Sequence, residues 1–327
     1  MNDPVRATAH FERFAVLGLG LIGGSVLSAA SGGGLNVVGF DPDPLSAQAA
    51  AAAGFEVVGS AAEAVTGADL VLLAMPLDRL GDALVSIAPH LRPDAVLTDV
   101  GTLKAPTFEL VEKYVPDAHF VGGHPLAGTE ESGFTAADPL LFRSNPWALT
   151  LEPGTELSAW LRLAELICDL GAKPVPVAIK AHDAAIARVI GLPHVLAEAL
   201  ALTGLAGGPL GLSLAAGSYT SGSRVARTRP ELVATWCDGN PGLVSALDDA
   251  IAYLVRTRDT LAADGSVLEL ARAGHDARID WEHREFEPVE LPAAVPDLLE
   301  HGRLGGWITA VVRGEHGSVR LLGMRPR

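Results

Sequence analysis

The sequence is short of cysteine, of aromatic residues and of positive charge. Cys168 and Cys237 are its two cysteines in 327 residues, and neither sits in a CxxC pair or at metal-type spacing from histidine. A zinc ribbon or a disulfide framework is thereby excluded and no metal is expected. Two isolated thiols fit a reducing, cytoplasmic compartment, with both as small buried residues. Lys and Arg number 24 against 39 Asp and Glu, a formal net charge of −15. Such a chain lacks the basic excess that nucleic-acid binding needs and is repelled from anionic bilayers, so neither partner is expected. An anionic substrate would require positive charge gathered in one cleft. The opening MNDPVRATAHFERF holds acids and no apolar core, so no secretory signal is expected.

Apolar residues make up 49% and charged residues 19%, a globular balance. Two runs, one uncharged and one weakly charged, are long enough to span a bilayer on length alone. The first, Phe14–Phe40, is broken by Gly18, Gly20, Gly23, Gly24 and Gly32–Gly34. It reads as strand, glycine turn, buried helix, glycine turn, strand. The second, Val189–Ser223, contains Glu198, Pro193, His194 and Pro209, and reads as a buried core helix.

The first half alternates apolar strands (13–17, 37–41, 56–58, 70–74, 96–99, 119–121) with helical runs (22–30, 45–53, 61–66, 79–88, 105–114). Continuous apolar strands separated by helices imply an α/β, doubly wound, mostly parallel sheet covered on both faces. A strand at 147–151, a helix near 156–170 and a strand at 174–178 look like extensions of that sheet. From 180 to 278 the pattern is helical throughout, an all-helical second domain. A long helix from Val244 carries Leu247, Ile251, Leu254 and Leu261 in a stripe that suits intrachain packing or a dimer seam equally. Strand, helix and strand patterns after 284, with a turn at Gly314–Gly317, form a short αβ tail. The expected division is 1–12 as an extension, 13–179 as the sheet domain, 180–283 as the helical domain and 284–327 as the tail.

Gly18-Leu19-Gly20-Leu21-Ile22-Gly23 is a GxGxxG at a strand-to-helix junction. The first glycine makes the turn, the second admits a pyrophosphate, the third lets helix and strand pack, and the helix N-terminus faces the phosphates. Asp41 ends the second strand, about 20 residues on, where an acid bonds the ribose 2′-OH and repels a 2′-phosphate, favouring NAD over NADP. Pro76, just past the fourth strand, joins Gly18–Gly23 and Asp41 as a candidate cofactor-binding residue.

Three further constellations follow. Asp99-Val100-Gly101-Thr102-Leu103-Lys104 ends the fifth strand, at the edge where doubly wound sheets bind ligands. Gly122-Gly123-His124-Pro125 follows the sixth, and His124 is expected on a loop at the same edge. His182-Asp183 and Leu192-Pro193-His194 open the helical domain. Each has a plainer reading: Thr102 as a helix N-cap, Lys104 as a solvated surface charge, His194 as a satisfied core histidine.

GLGLIGGS, DVGTLK, GGHPLAGTEESG, HD with LPH ten residues on, and SRVA at 223–226 together resemble the prephenate dehydrogenase family over residues 13–265. The resemblance implies a Rossmann-type N-terminal domain, a helical domain that forms a homodimer, and NAD-dependent oxidative decarboxylation of prephenate to 4-hydroxyphenylpyruvate in tyrosine biosynthesis. It implies His124 as the acceptor of the substrate hydroxyl proton. Thr102 stands where the family usually has Ser, as that group's hydrogen-bonding hydroxyl. Arg224 becomes the carboxylate grip, His194 the second substrate-contacting histidine, and Thr129 and Glu130 residues of the site mouth, with Glu130 able to pair with Arg224. Ser221 and Val233 depart from the family's usual Asp and Trp, with Trp236 nearby. The alternatives are an arogenate or dual-specificity cyclohexadienyl dehydrogenase and, in another class, a non-catalytic NAD-binding sensor.

Overall fold

A computed structural model describes residues 11–129, 131–314 and 318–327. Six parallel strands, β1 (Phe14–Leu17), β2 (Val37–Phe40), β3 (Glu56–Val57), β4 (Leu70–Leu73), β5 (Val96–Asp99) and β6 (His119–Val121), form a sheet in the order β3-β2-β1-β4-β5-β6. Between them run α1 (Leu21–Gly32), α2 (Pro44–Ala52), α3 (Ala61–Val65), α4 (Leu77–Ile87) and α5 (Ala105–Tyr114). Each lies where the sequence put it, with ends shifted by a residue or two. Phe14, Val16, Leu70 and Leu72 enter one core cluster, whereas Ala15, Leu17, Val71 and Leu73 enter another. Strands apolar on both faces are what a helix-covered parallel sheet requires. The winding reverses between β1 and β4, and the crevice outside the carboxyl ends of these strands is where such sheets hold ligands.

The expected extension of this sheet does not occur. β7 (Gly123–Pro125), β8 (Pro146–Thr150) and β9 (Lys173–Val177) form a separate sheet, with β7 antiparallel to β8, β8 parallel to β9, and α6 (Leu157–Asp169) connecting the last two. The backbone turns out of β6 at Gly122, whose N–H donates to Thr150 Oγ1 (2.8 Å), and the Gly123 N–H donates to Asp99 Oδ1 (3.0 Å). His124 is therefore in a strand and not on a loop. β7 is an edge strand, where the missing N–H of Pro125 is tolerated.

Helices α7 (Ile179–Ile186), α8 (Leu192–Ala206), α9 (Gly208–Ser213), α10 (Gly217–Gly222), α11 (Pro230–Cys237), α12 (Pro241–Asp264) and α13 (Leu268–Glu282) follow, with a π-helical turn at Ala187–Gly191. The long helix α12 begins three residues before its apolar stripe suggests, because Asn240 caps it by accepting the Gly242 N–H (3.0 Å) and Pro241 occupies its first position. The tail is β10 (Phe286–Pro292), α14 (Val295–Arg303), β11 (Trp307–Arg313) and β12 (Val319–Pro326), a sheet in the order β10-β12-β11. The expected turn at Gly314–Gly317 falls largely outside the described residues. The chain forms two compact units: residues to His182 together with Phe286–Pro326, and Asp183–Glu285. In the first unit Leu298, Ile308 and Leu321 share a core with Trp160 and Ile167. A Cβ on Gly302 would lie 1.7 Å from the Pro176 carbonyl oxygen, so α14 seats against β9 only with glycine there.

Two sequence readings are corrected by burial. Both cysteines are half-buried, although burial still pushes the Cys168 thiol up to about 12 and leaves it unreactive. The expected buried core helix is not covered by its own chain. The stretch Ile179–Ala206 is long and apolar enough to cross a membrane by length and composition, and 17% of its apolar window is buried. Leu196, Leu200, Leu202 and Leu205 stand exposed along α8. Periodicity reports an apolar surface and not what covers it.

Candidate active site

The glycine turn has the shape that a nucleotide cradle requires. Gly18 has φ +100°, and a Cβ there would lie 2.3 Å from the Ala74 carbonyl oxygen at the end of β4. A Cβ on Gly23 would lie 1.9 Å from the Gly18 oxygen. Both positions therefore demand glycine to let α1 pack against β1 and β4. At Gly20 a Cβ would meet nothing within 4 Å, so the space over the start of α1 is open to an approaching group. No side chain caps α1 and no acid stands in its first turn, which leaves its positive end for an anion. Asp41 Oδ2 accepts the Leu19 N–H at 2.6 Å, bringing a carboxylate beside the turn, while the Leu19 side chain is buried in the core. Leu21 and Ile22 are half-buried in the first turn of α1, and Pro76 occupies the N-cap of α4 across the crevice. A pyrophosphate with an adenosine ribose fits this donor and acceptor set.

The second group of residues surrounds Gly123. Asp99, the last residue of β5, accepts the Gly101 N–H (2.8 Å) on one oxygen and the Gly123 N–H (3.0 Å) on the other. Lys104 forms an ion pair with Asp99 and donates to the Gly123 carbonyl oxygen at 2.7 Å. Lys104 is 1% exposed, so it is not the solvated charge its position suggested. The pair grips both ends of the Gly123 residue and sets the direction in which His124 leaves the backbone. A Cβ on Gly123 would lie 2.5 Å from the Asp99 carbonyl oxygen, which restricts this position to glycine.

His124 is buried, and its Nδ1 lies 3.0 Å from Nε2 of His182, itself buried on α7. Burial, then the charge of Lys104, then His182, hold the His124 pKa well below the ordinary histidine value. The imidazole is therefore neutral at physiological pH and can take a proton. Thr102 is half-buried in the bend between β5 and α5, and the N-cap position of α5 belongs to Lys104, so Thr102 is not the cap. Thr129 is exposed, and its Oγ1 accepts the Glu131 N–H at 3.3 Å. Glu130, and with it the suggested pairing to Arg224, lies outside the described residues.

The helical unit carries its own group. His194, in the first turn of α8, is buried with its Nδ1 unpartnered, so it is not a satisfied core histidine. Its ring packs on Trp236 of α11 with centroids 4.9 Å apart. Desolvation lowers its pKa, Glu198 opposes that shift, and Arg224, exposed at the start of a 3₁₀ turn, adds to it. Sequence reasoning did not assign roles to Asp99, Lys104, His182 or Trp236. The HD and DVGTLK motifs were visible, but a separation of 58 residues gives no spacing signal for the His124–His182 contact.

Residues 29–175 match the family described as prephenate dehydrogenase, nucleotide-binding domain, and residues 179–272 match its dimerization domain. The glycine turn precedes the first match, so its reading rests on its own geometry. A cyclohexadienyl dehydrogenase of Zymomonas mobilis is 32% identical over 286 residues, 82% of this chain and 96% of that protein. A candidate prephenate dehydrogenase of Corynebacterium glutamicum, solved by crystallography, shares 36% identity with a TM-score of 0.78, over 83% of this chain and 89% of that one. The crystal structure of Synechocystis arogenate dehydrogenase shares 26% identity with a TM-score of 0.74, over 82% and 99%.

Proposed function

The chain belongs to the prephenate dehydrogenase family, and on that premise we propose that it oxidatively decarboxylates prephenate to 4-hydroxyphenylpyruvate with NAD. The observation that carries this reading is the buried, neutral imidazole of His124 just past β6, on the sheet edge that also bears the glycine turn. Gly18–Gly23, Asp41 and Pro76 hold the cofactor, with the Asp41 carboxylate taking the ribose hydroxyl and repelling a 2′-phosphate. Bound NAD supplies the hydride acceptor.

His124 accepts the proton of the substrate C4 hydroxyl as hydride leaves C4. The C1–carboxylate bond then breaks, carbon dioxide departs, and its electron pair closes the aromatic ring with the negative charge on the C4 oxygen. The imidazolium of His124 returns its proton to that oxygen, so the base is restored. Thr102 hydrogen-bonds the reacting oxygen. Arg224 holds a substrate carboxylate with its planar fork, His194 makes a second substrate contact through its unpartnered nitrogen, and Thr129 lines the mouth. In Arg224→Gln the KM for prephenate should rise about 10–100-fold with kcat little changed, the size of one lost charged hydrogen bond. Steady-state kinetics check this, and an unaltered KM would remove Arg224 from the substrate.

The exposed leucines of α8 and the match of residues 179–272 to a dimerization domain support a homodimer through the helical unit. Two free thiols support a reducing cytoplasm. A second reading, dual use of prephenate and arogenate, is favoured by likeness to a cyclohexadienyl dehydrogenase. The test is kcat/KM for prephenate and arogenate, each with NAD and with NADP. Prephenate with NAD should exceed the other three, and comparable arogenate turnover would establish the dual reading instead.

A further inference from the structure

We propose that His182 is a positioning residue whose Nε2 accepts a hydrogen bond from the Nδ1–H of His124, fixing the tautomer that leaves the His124 Nε2 lone pair free to take the substrate proton. The inference deepens the proposed role of His124 and rests on it. The two nitrogens are 3.0 Å apart and the rings meet edge to face, with centroids 5.2 Å apart and planes at 73°. His124 is 5% and His182 3% exposed, so water is a poor substitute partner for either nitrogen. Two ring nitrogens at that distance share one proton: two would clash, and none would leave two lone pairs opposed.

The charged and titratable groups facing His124 are Lys104, from the segment after β5, and His182, from α7. The nearby Asp99 carboxylate is engaged by Lys104, Gly101 and Gly123. A positive charge on the His124 ring beside Lys104 is therefore unfavourable, and that ring is neutral. Of the two neutral arrangements, the one with the proton on His124 Nδ1 makes His124 a base. The other places a proton on its outward nitrogen and makes it a donor. We assign the first because only it lets His124 act as the base, and His182 sits on a helix whose start is anchored. It lies in the first turn of α7, and the Ile179 N–H at the start of that helix donates to Glu152 Oε1 at 2.7 Å.

Two variants and one spectrum test the inference on the full-length protein. His182→Gln places an amide where Nε2 was and can still accept from His124, whereas His182→Leu cannot. Expected are a kcat about 10–100-fold lower in His182→Leu with KM little changed, recovery of most of that loss in His182→Gln, and NAD affinity retained in both. Equal losses in the two variants, or full kcat in His182→Leu, overturn it. Nitrogen NMR of the unaltered protein at neutral pH covers the case in which His182→Leu fails to fold. A His124 signal with Nδ1 protonated and Nε2 bare supports the proposal, and the opposite tautomer or an imidazolium overturns it. The spectrum needs no substrate, so it stands apart from the proposed function. Wild-type protein that makes no NADH from prephenate or arogenate would sink that reading while leaving the tautomer result to be judged alone.

Discussion

His124→Asn should lower kcat about 10²–10⁴-fold, the range that a positioned general base contributes, while NAD binds with unchanged affinity. Asparagine keeps a hydrogen-bonding side chain of similar reach but cannot carry a proton away. The nucleotide cradle at Gly18–Gly23 and Asp41 is built by β1, α1, β2 and β4, none of which the substitution touches. The loss should therefore appear in turnover and not in cofactor affinity, read by steady-state assays and by titration of NAD. Turnover within a few-fold of wild type would show that another group takes the proton.

Lys104→Met should damage both stability and chemistry. The change leaves the Asp99 carboxylate buried without its ion-pair partner, and breaking a buried pair from one side costs about 3–5 kcal/mol. For the larger unit that is a Tm lower by about 10 °C. Adding Asp99→Asn removes the stranded charge and should recover much of the Tm, but not the grip on the Gly123 carbonyl oxygen, so turnover stays low in the double variant.

The pH profile separates the two effects. In the wild-type protein burial, Lys104 and His182 all lower the His124 pKa, so kcat/KM should hold level as pH falls to about 6.5 and fail only below it. Without the Lys104 charge one depressing influence is gone, and the acidic limb should move upward toward that value. A limb that stays in place would mean the lysine acts through packing alone. Stability has the same sign: as pH falls below the ordinary histidine pKa the unfolded chain binds a proton that folded His124 refuses, and folding weakens.

The parallel sheet was legible because each of its strands is a continuous apolar run bounded by helix and turn signals, and the glycine turn was legible because Gly18, Gly20 and Gly23 each answer a different steric demand. The second sheet was not. Its β8-α6-β9 stretch has the same pattern as another strand-helix-strand unit, and the pairing that diverts it runs through β7, only three residues long. A segment so short has no periodicity to read. Lys104 looked like a surface charge because a lysine opening a helix usually is one, and only the three-dimensional meeting of β5 with Gly123 buries it. The apolar character of α8 was plain, but apolarity is the same whether the chain's own core or another surface covers it.

The most direct measurement is to mix the purified protein with prephenate and NAD and to follow NADH and carbon dioxide together. The account expects both to appear in equal amounts, with 4-hydroxyphenylpyruvate as the remaining product. Tight binding of NAD with neither NADH nor carbon dioxide released, from prephenate or from arogenate, would contradict it.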